Sequence, residues 1–212
     1  MYSRFNAVTV STITIFIVMV LASIEPLAWS SYLLHQLGTL LFLALMLGAY
    51  HYRYISARSY VFASLFLVIH IIGARHLYSY VPYDDWTQRL FGIRLDELFG
   101  WRRNMYDRLV HFSYGLLLFS AMVESAKSIF TIQSTKLLIA IALMINISSS
   151  LLYELLEWGI AATLSPEDAE AYNGQQGDVW DAHKDMTLAL LGGLIAAGTV
   201  LFQTDKNQIL DK

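Results

Sequence analysis

Cysteine is absent from this chain of 212 residues, which excludes disulfides, thiolate nucleophiles and cysteine-ligated metals. Charge is scarce as well. Asp, Glu, Lys and Arg make up 15% of the residues against 56% hydrophobic ones, and the mean hydropathy is +0.48. A soluble domain carries about a quarter charged residues, and a chain this short has no core large enough for such an apolar excess, so lipid must solvate it. No basic run suggests a nucleic-acid partner, and the net charge of −3 is unremarkable. The short alternating segments of a membrane β-barrel are missing. So are a P-loop, a nucleophile elbow, an H-E-x-x-H pair and any obvious internal repeat.

What the chain does have is long apolar runs. A bilayer core is crossed by about 20 consecutive apolar residues in a helix, and six stretches approach that length: 5–24, 32–50, 60–78, 109–124, 137–158 and 186–202. The expected fold class is all-α, a single integral membrane bundle of six transmembrane helices over residues 1–212. The first run is long for a signal peptide and reads as an uncleaved helix.

Six crossings leave both termini on one side. The short segments there hold Arg4, Arg53, Arg58, Lys127, Lys136, Lys206 and Lys212, so the positive-inside rule predicts cytoplasmic termini. The loop from His76 to Arg108 falls outside despite its five arginines, which alternate with Asp84, Asp85, Asp96, Glu97 and Asp107 and so read as paired or functional.

Six crossings also gather the ionisable residues. "HIIGARH" sets His70 and His76 near the end of the third helix, and "DRLVH" sets Asp107 and His111 at the start of the fourth. "YELLEW" sets Glu154 and Glu157 at the end of the fifth, and "GDVWDAHKD" sets Asp178, Asp181, His183 and Asp185 at the start of the sixth. All four groups fall at one membrane face. Residues three or four apart share a side of a helix, so Asp107, His111 and Tyr114 form one stripe. Asn146, Ser150, Glu154 and Glu157 form another. Ionisable groups at membrane depth are costly and generally mark function.

Carboxylates this crowded need a cation between them. One solution is a divalent metal: carboxylate oxygen with imidazole nitrogen suits Zn²⁺, Mn²⁺, Mg²⁺ or Fe²⁺, and D-x₃-H and E-x₂-E each put two donors on one face. The other is a structural clasp, in which Arg102, Arg103, Arg108 and Lys184 neutralise the site. Three flanking histidines favour the metal. The candidate ligands are Asp107, His111, Glu154 and Asp185, with His70, His76 and Asp178 beside them. Glu157 or Asp181 would serve as general base. Arg103 or Arg108 would hold an anionic headgroup, with Tyr114 and Trp180 lining the pocket.

Other features read as architecture. Ala189, Gly193 and Ala197 make a small-residue packing face. Tyr78, Tyr80, Tyr83, Trp86, Trp101, Trp158 and Trp180 form an interfacial aromatic belt that also suits gripping a lipid or sugar. His35 and His51 read as interfacial, and 159–176 as an exposed loop over the pocket.

"HIIGARHLYSYVPYDDW", "RRNMYDRLVHFSYG", "YELLEW" and "QGDVWDAHKDM" resemble, in order, the motifs of the YjdF-like family of uncharacterised bacterial inner-membrane proteins. More distantly, "DRLVHF", a later Glu and "DAHKDMTLALLGG" resemble the VanZ-like superfamily, which is linked to resistance against glycopeptide antibiotics such as teicoplanin. The resemblance implies a multi-pass protein of the bacterial inner membrane and carries over Asp107, His111, Glu154 and Asp185; where the YjdF-like pattern often has Gln, this chain has His183. The resulting expectation is a metal-dependent enzyme facing the envelope and acting on a lipid or lipid-linked envelope molecule. The alternative is a non-catalytic lipid- or antibiotic-binding protein held by a charged clasp.

Overall fold

The computed structural model describes residues 2–210, without the side chains of 2–6, 167, 168, 170, 171 and 204–210. The described chain is all helical, with no strand: α1 (Tyr2–Ala22), α2 (Trp29–His51), α3 (Ala57–Arg75), α4 (Tyr83–Phe91), α5 (Leu95–Phe99), α6 (Tyr106–Phe130), α7 (Thr135–Ala161), α8 (Pro166–Asn173) and α9 (Asp181–Leu210). Five of these, α2, α3, α6, α7 and α9, are long and apolar enough to cross a membrane. The described apolar part of α1, Ala7–Ala22, is shorter, about 24 Å at the rise of an α-helix.

The helices extend past the apolar runs of the sequence at most ends, because polar caps rather than lipid terminate them. Ser56 caps α3 by accepting from the Ser59 amide at 3.2 Å, and Ser134 does the same for Leu137 at the start of α7. The Ser56 amide and hydroxyl also bond the carboxylate of Glu124 on α6, at 2.6 and 2.9 Å, tying two helix ends together. The third helix stops earlier than its apolar run, at Arg75. There Leu77 and Tyr78 both adopt left-handed backbone angles, φ 52° and 53°, an uncommon conformation for bulky residues. The turn is fixed by the Tyr78 amide donating to the Gly73 carbonyl at 2.8 Å. It lays the Tyr78 ring on Gly73, where a Cβ would come within 2.6 Å of it.

α6 is the central element. One side packs on α3, the other on α9 and α7, and α1 and α2 lean on the far side of α3. The closest crossing is α6 on α9. A Cβ on Gly115 would overlap the Ala189 carbonyl, and one on Gly192 the Phe112 carbonyl, so both glycines are needed for the helices to approach. Between lipid-solvated helices association rests on such close packing, since lipid tails are as apolar as the side chains they contact. Large exposed apolar residues such as Ile17, Leu41, Leu152 and Phe202 face outward along the bundle.

α2 and α7 make no extended contact with each other, and α8 bridges them at one end. The stretch read as an exposed loop therefore contains a helix, whose Tyr172 is buried. At the same end α4 and α5 form a small hairpin. The Asp84 carboxylate accepts from the Leu95 and Asp96 amides at 2.8 and 3.0 Å, Arg94 pairs with Asp85, Asp96 and Glu97, and Leu90, Phe91, Leu98 and Phe99 stay exposed.

Candidate metal centre

The antiparallel course of α3, α6, α7 and α9 brings the end of α3, the start of α6, the end of α7 and the start of α9 to one end of the bundle. The acidic and imidazole residues there sort into two adjoining groups. The sequence treats metal and clasp as alternatives; the structure contains a clasp and, next to it, a donor set that shares Asp185 with it.

The clasp joins the start of α6 to the start of α9. Arg108 Nη1 meets Asp185 Oδ2 at 2.5 Å, and its Nη2 meets Asp181 Oδ1 at 2.5 Å and Asp178 Oδ2 at 3.1 Å. Arg108 also donates to the Asp181 carbonyl at 3.0 Å. Arg103 reaches Asp181 at 2.8 Å and the Gln175 carbonyl at 3.1 Å, and Lys184 reaches Asp178 at 2.6 Å. The bond from Lys184 holds the Asp178 carboxyl below the usual carboxylate range. Asp178 lies three residues before α9, its carboxylate accepting from the Trp180 amide at 3.1 Å. The Gln176 side chain bonds the Asn104 backbone in both directions, at 2.9 and 3.1 Å.

The donor set lies one layer deeper. Asp107, His111 and Asp185 are all buried, and one ligand atom from each lies within 4.8 Å of the others. His111 Nε2 is 3.6 Å from Asp107 Oδ1 and 4.0 Å from Asp185 Oδ1. These separations exceed a hydrogen bond. They approach the roughly 3.4 Å between two ligand atoms that each sit about 2.1 Å from one tetrahedral metal ion. Asp185 is 2% exposed, and while its Oδ2 serves Arg108, its Oδ1 has no hydrogen-bond partner. One residue thus belongs to both groups. The donor chemistry of two carboxylates and one imidazole fits a divalent cation, and a three-residue set leaves a coordination position open.

Glu154 faces the other ring nitrogen, with Oε1 3.7 Å from His111 Nδ1. That is the place of a carboxylate that orients a metal-ligating histidine. The stripe below it on α7 is buried and short of partners: Glu154 Oε1, Ser150 Oγ and both amide atoms of Asn146 are unpaired, and Asn146 is 0% exposed. Asn146 packs against Gly193 of α9, so the small-residue face makes room for a polar side chain.

The remaining candidates are distributed around this centre. Glu157 lies in the electrostatic reach of His111, Glu154 and Tyr153. Tyr114 bonds Ser149 across α6 and α7. His70 shares a hydrogen bond between its Nδ1 and the Tyr78 hydroxyl at 2.8 Å and is not among the three residues of the donor set. His76 follows α3 and sits 6.3 Å, ring to ring, from Trp86. Trp180 is exposed, its ring 5.2 Å from that of His183. Asp178 and Asp181 lie in the clasp. His35, read from the sequence as interfacial, is buried, because Tyr172 of α8 stacks on it with ring centroids 4.6 Å apart. A lone histidine in an apolar run carries no signal that a distant loop helix will cover it.

Fold and site together define a multi-helix membrane protein with a buried acidic–imidazole cluster at one end. More particularly, residues 7–206 match the family described as predicted membrane protein (DUF2238), and the chain belongs to that family. The chain is 27% identical over 192 residues to inner membrane protein YjdF of Escherichia coli (strain K12), an alignment that covers 91% of this chain and 86% of that protein. No solved structure matches it.

Proposed function

We propose that this protein is a divalent-metal-dependent membrane enzyme acting on a lipid or lipid-linked envelope molecule. The observation that carries this reading is the convergence of Asp107, His111 and Asp185 in a buried triad, with an unpartnered carboxylate oxygen aimed at the imidazole. Charge supports it too. Asp107, Glu154, Glu157, Asp178, Asp181 and Asp185 crowd one end of the bundle against Arg103, Arg108 and Lys184, an acidic excess that a divalent ion relieves. Zn²⁺, Mn²⁺, Mg²⁺ and Fe²⁺ are the candidates by donor type. A bound ion would polarise a phosphoryl or acyl oxygen or a water; Glu154 would hold the His111 ring, and Glu157 would accept a proton from the attacking group.

With α1 taken as a sixth crossing, both termini are cytoplasmic and the triad faces the envelope. The similarity to a protein named as an inner membrane protein supports placement in that membrane.

Metal analysis of the detergent-purified chain tests the reading. About one ion per chain is expected in the wild type, with loss in Asp107→Asn and in His111→Ala. Absence of metal after loading with each of the four ions in turn refutes it. The second reading, a non-catalytic VanZ-like binding protein, is favoured by the saturated contacts of Arg108. It predicts no metal and no turnover, with the clasp alone holding α6 to α9.

A further inference from the structure

Next to the triad lies a second group of polar side chains, in which Glu157 is joined by His35, Tyr153 and Tyr172, three residues that the proposed chemistry does not use. It lines the seam between α2 and α7. These two membrane-spanning helices make no extended contact with each other, and α8 packs on both at one end. Its α2 wall is His35, whose ring stacks on Tyr172 of α8 and lies 5.1 Å from Tyr78 and 6.1 Å from His70. Its α7 wall is Tyr153 and Glu157, both partly exposed, with the Tyr153 ring 6.0 Å from that of His111. Glu157 is near enough to Tyr78, Tyr153 and Tyr172 to act on all three electrostatically. A row of polar groups therefore runs between α2 and α7, from the partly exposed Tyr153 and Glu157 past Tyr172, beside the triad.

Acceptors stand out among the hydrogen-bonding groups along it. His35 Nδ1 is 2.7 Å from the Ser31 carbonyl, which only accepts, so that nitrogen carries the proton. In the neutral ring Nε2 is then a bare acceptor, and it is buried without a partner. Glu157 and Glu154 present carboxylate oxygens. The Nδ1 of His70 is engaged by Tyr78 at 2.8 Å. The arginines that the sequence suggested for an anionic headgroup, Arg103 and Arg108, already bond Asp178, Asp181 and Asp185. An acceptor-rich passage suits a ligand that brings donors.

We infer that this seam is a lateral access path for a bilayer lipid whose headgroup is a hydrogen-bond donor, an ammonium or a polyol, and that His35 and Glu157 receive that headgroup beneath Tyr172. The inference deepens the proposed function and rests on it for the use made of the lipid, though not for its binding. The His35 ring is buried with Tyr172 stacked on its face, so α8 acts as the cover.

Native mass spectrometry of the full chain, released from nanodiscs of equal phosphatidylethanolamine, phosphatidylglycerol and phosphatidylcholine, tests this. The choline headgroup offers no N–H or O–H. Retention of the ethanolamine or glycerol lipid over phosphatidylcholine by roughly three- to tenfold is expected, the value of one buried hydrogen bond. Preference for ethanolamine alone assigns the ammonium, and for glycerol alone the hydroxyls. Equal retention of all three overturns the inference. His35→Phe keeps a ring against Tyr172 and removes the acceptor, so it should abolish the preference, and His35→Gln should restore part of it. Preference that survives His35→Phe, or survives Glu157→Leu where the Phe variant does not assemble, overturns it as well. Glycerophosphoethanolamine, the same headgroup without chains, should compete poorly; if it competes as well as the lipid, the ligand arrives from water and lateral access is wrong. Metal content measured on the same samples separates the two readings. Metal without selectivity removes this inference alone, and selectivity without metal removes the enzyme alone.

Discussion

Replacing Arg108 by Gln strikes the contact on which both halves of the site depend. The guanidinium is buried, with 7% of its side chain exposed, and bonds three carboxylates. Two of those keep other cations: Asp181 retains Arg103 at 2.8 Å, and Asp178 retains Lys184 at 2.6 Å. Asp185 has no such reserve, since its remaining neighbour of opposite potential is His111 at 4.0 Å. Removing one partner of a buried ion pair costs about 3–5 kcal/mol. The reserve cations place this case near the lower figure. For a chain of this size each kcal/mol moves the melting temperature by about 2–4 °C, so Arg108→Gln should melt about 6–12 °C below the wild type. Tryptophan fluorescence in detergent reads this directly, as the chain has 5 tryptophans. Adding Asp185→Asn to Arg108→Gln removes the stranded charge and should recover about 1–3 kcal/mol, the size of a coupled pair. A divalent ion that binds the triad should rescue Arg108→Gln and leave the double variant unchanged. A single variant within about 1 kcal/mol of wild type, below the range for a broken buried pair, or a double variant no better than the single, refutes the reasoning.

Other consequences follow from particular contacts. Gly115→Ala puts a methyl group into the Ala189 backbone and should cost more than the ~1–3 kcal/mol of ordinary overpacking, seen as loss of monodisperse protein on size exclusion. Gly38→Ala, where a Cβ meets nothing within 4 Å, should purify as wild type. Tyr78→Phe keeps the ring on Gly73 but leaves His70 Nδ1 without its hydrogen-bond partner, and should lower stability by about 1–3 kcal/mol in thermal unfolding. In the α4–α5 hairpin the Arg94 hydrogen bond holds the Asp96 carboxyl below its usual range. Its contribution is therefore complete above the ordinary pKa of about 4 and lost as pH falls through the lowered value. A dye on Leu98→Cys should report loosening of the hairpin only in that acid range, and Asp96→Asn should abolish the pH dependence.

Much of this was written in the sequence. Apolar run lengths and the scarcity of charge dictate helices in lipid. Their antiparallel order places the end of α3 beside the starts of α6 and α9, so the convergence of Asp107, His111, Glu154 and Asp185 followed from topology alone. Spacing also put Asn146, Ser150 and Glu154 on one stripe, which is buried as a unit. Tertiary structure decided what those residues do. It gave Asp181 and half of Asp185 to Arg108, turned Glu154 to the Nδ1 side of His111, sent Tyr78 back onto Gly73, and brought Tyr172 over His35. It also set Gly115 and Gly192, rather than the stripe of Ala189, Gly193 and Ala197 alone, at the closest crossing. The reason is geometric. Helical periodicity fixes where a side chain points on its own helix, whereas the rotation and offset of one helix against another are set by packing, and an offset of a single residue is enough to exchange an ion pair for a metal ligand.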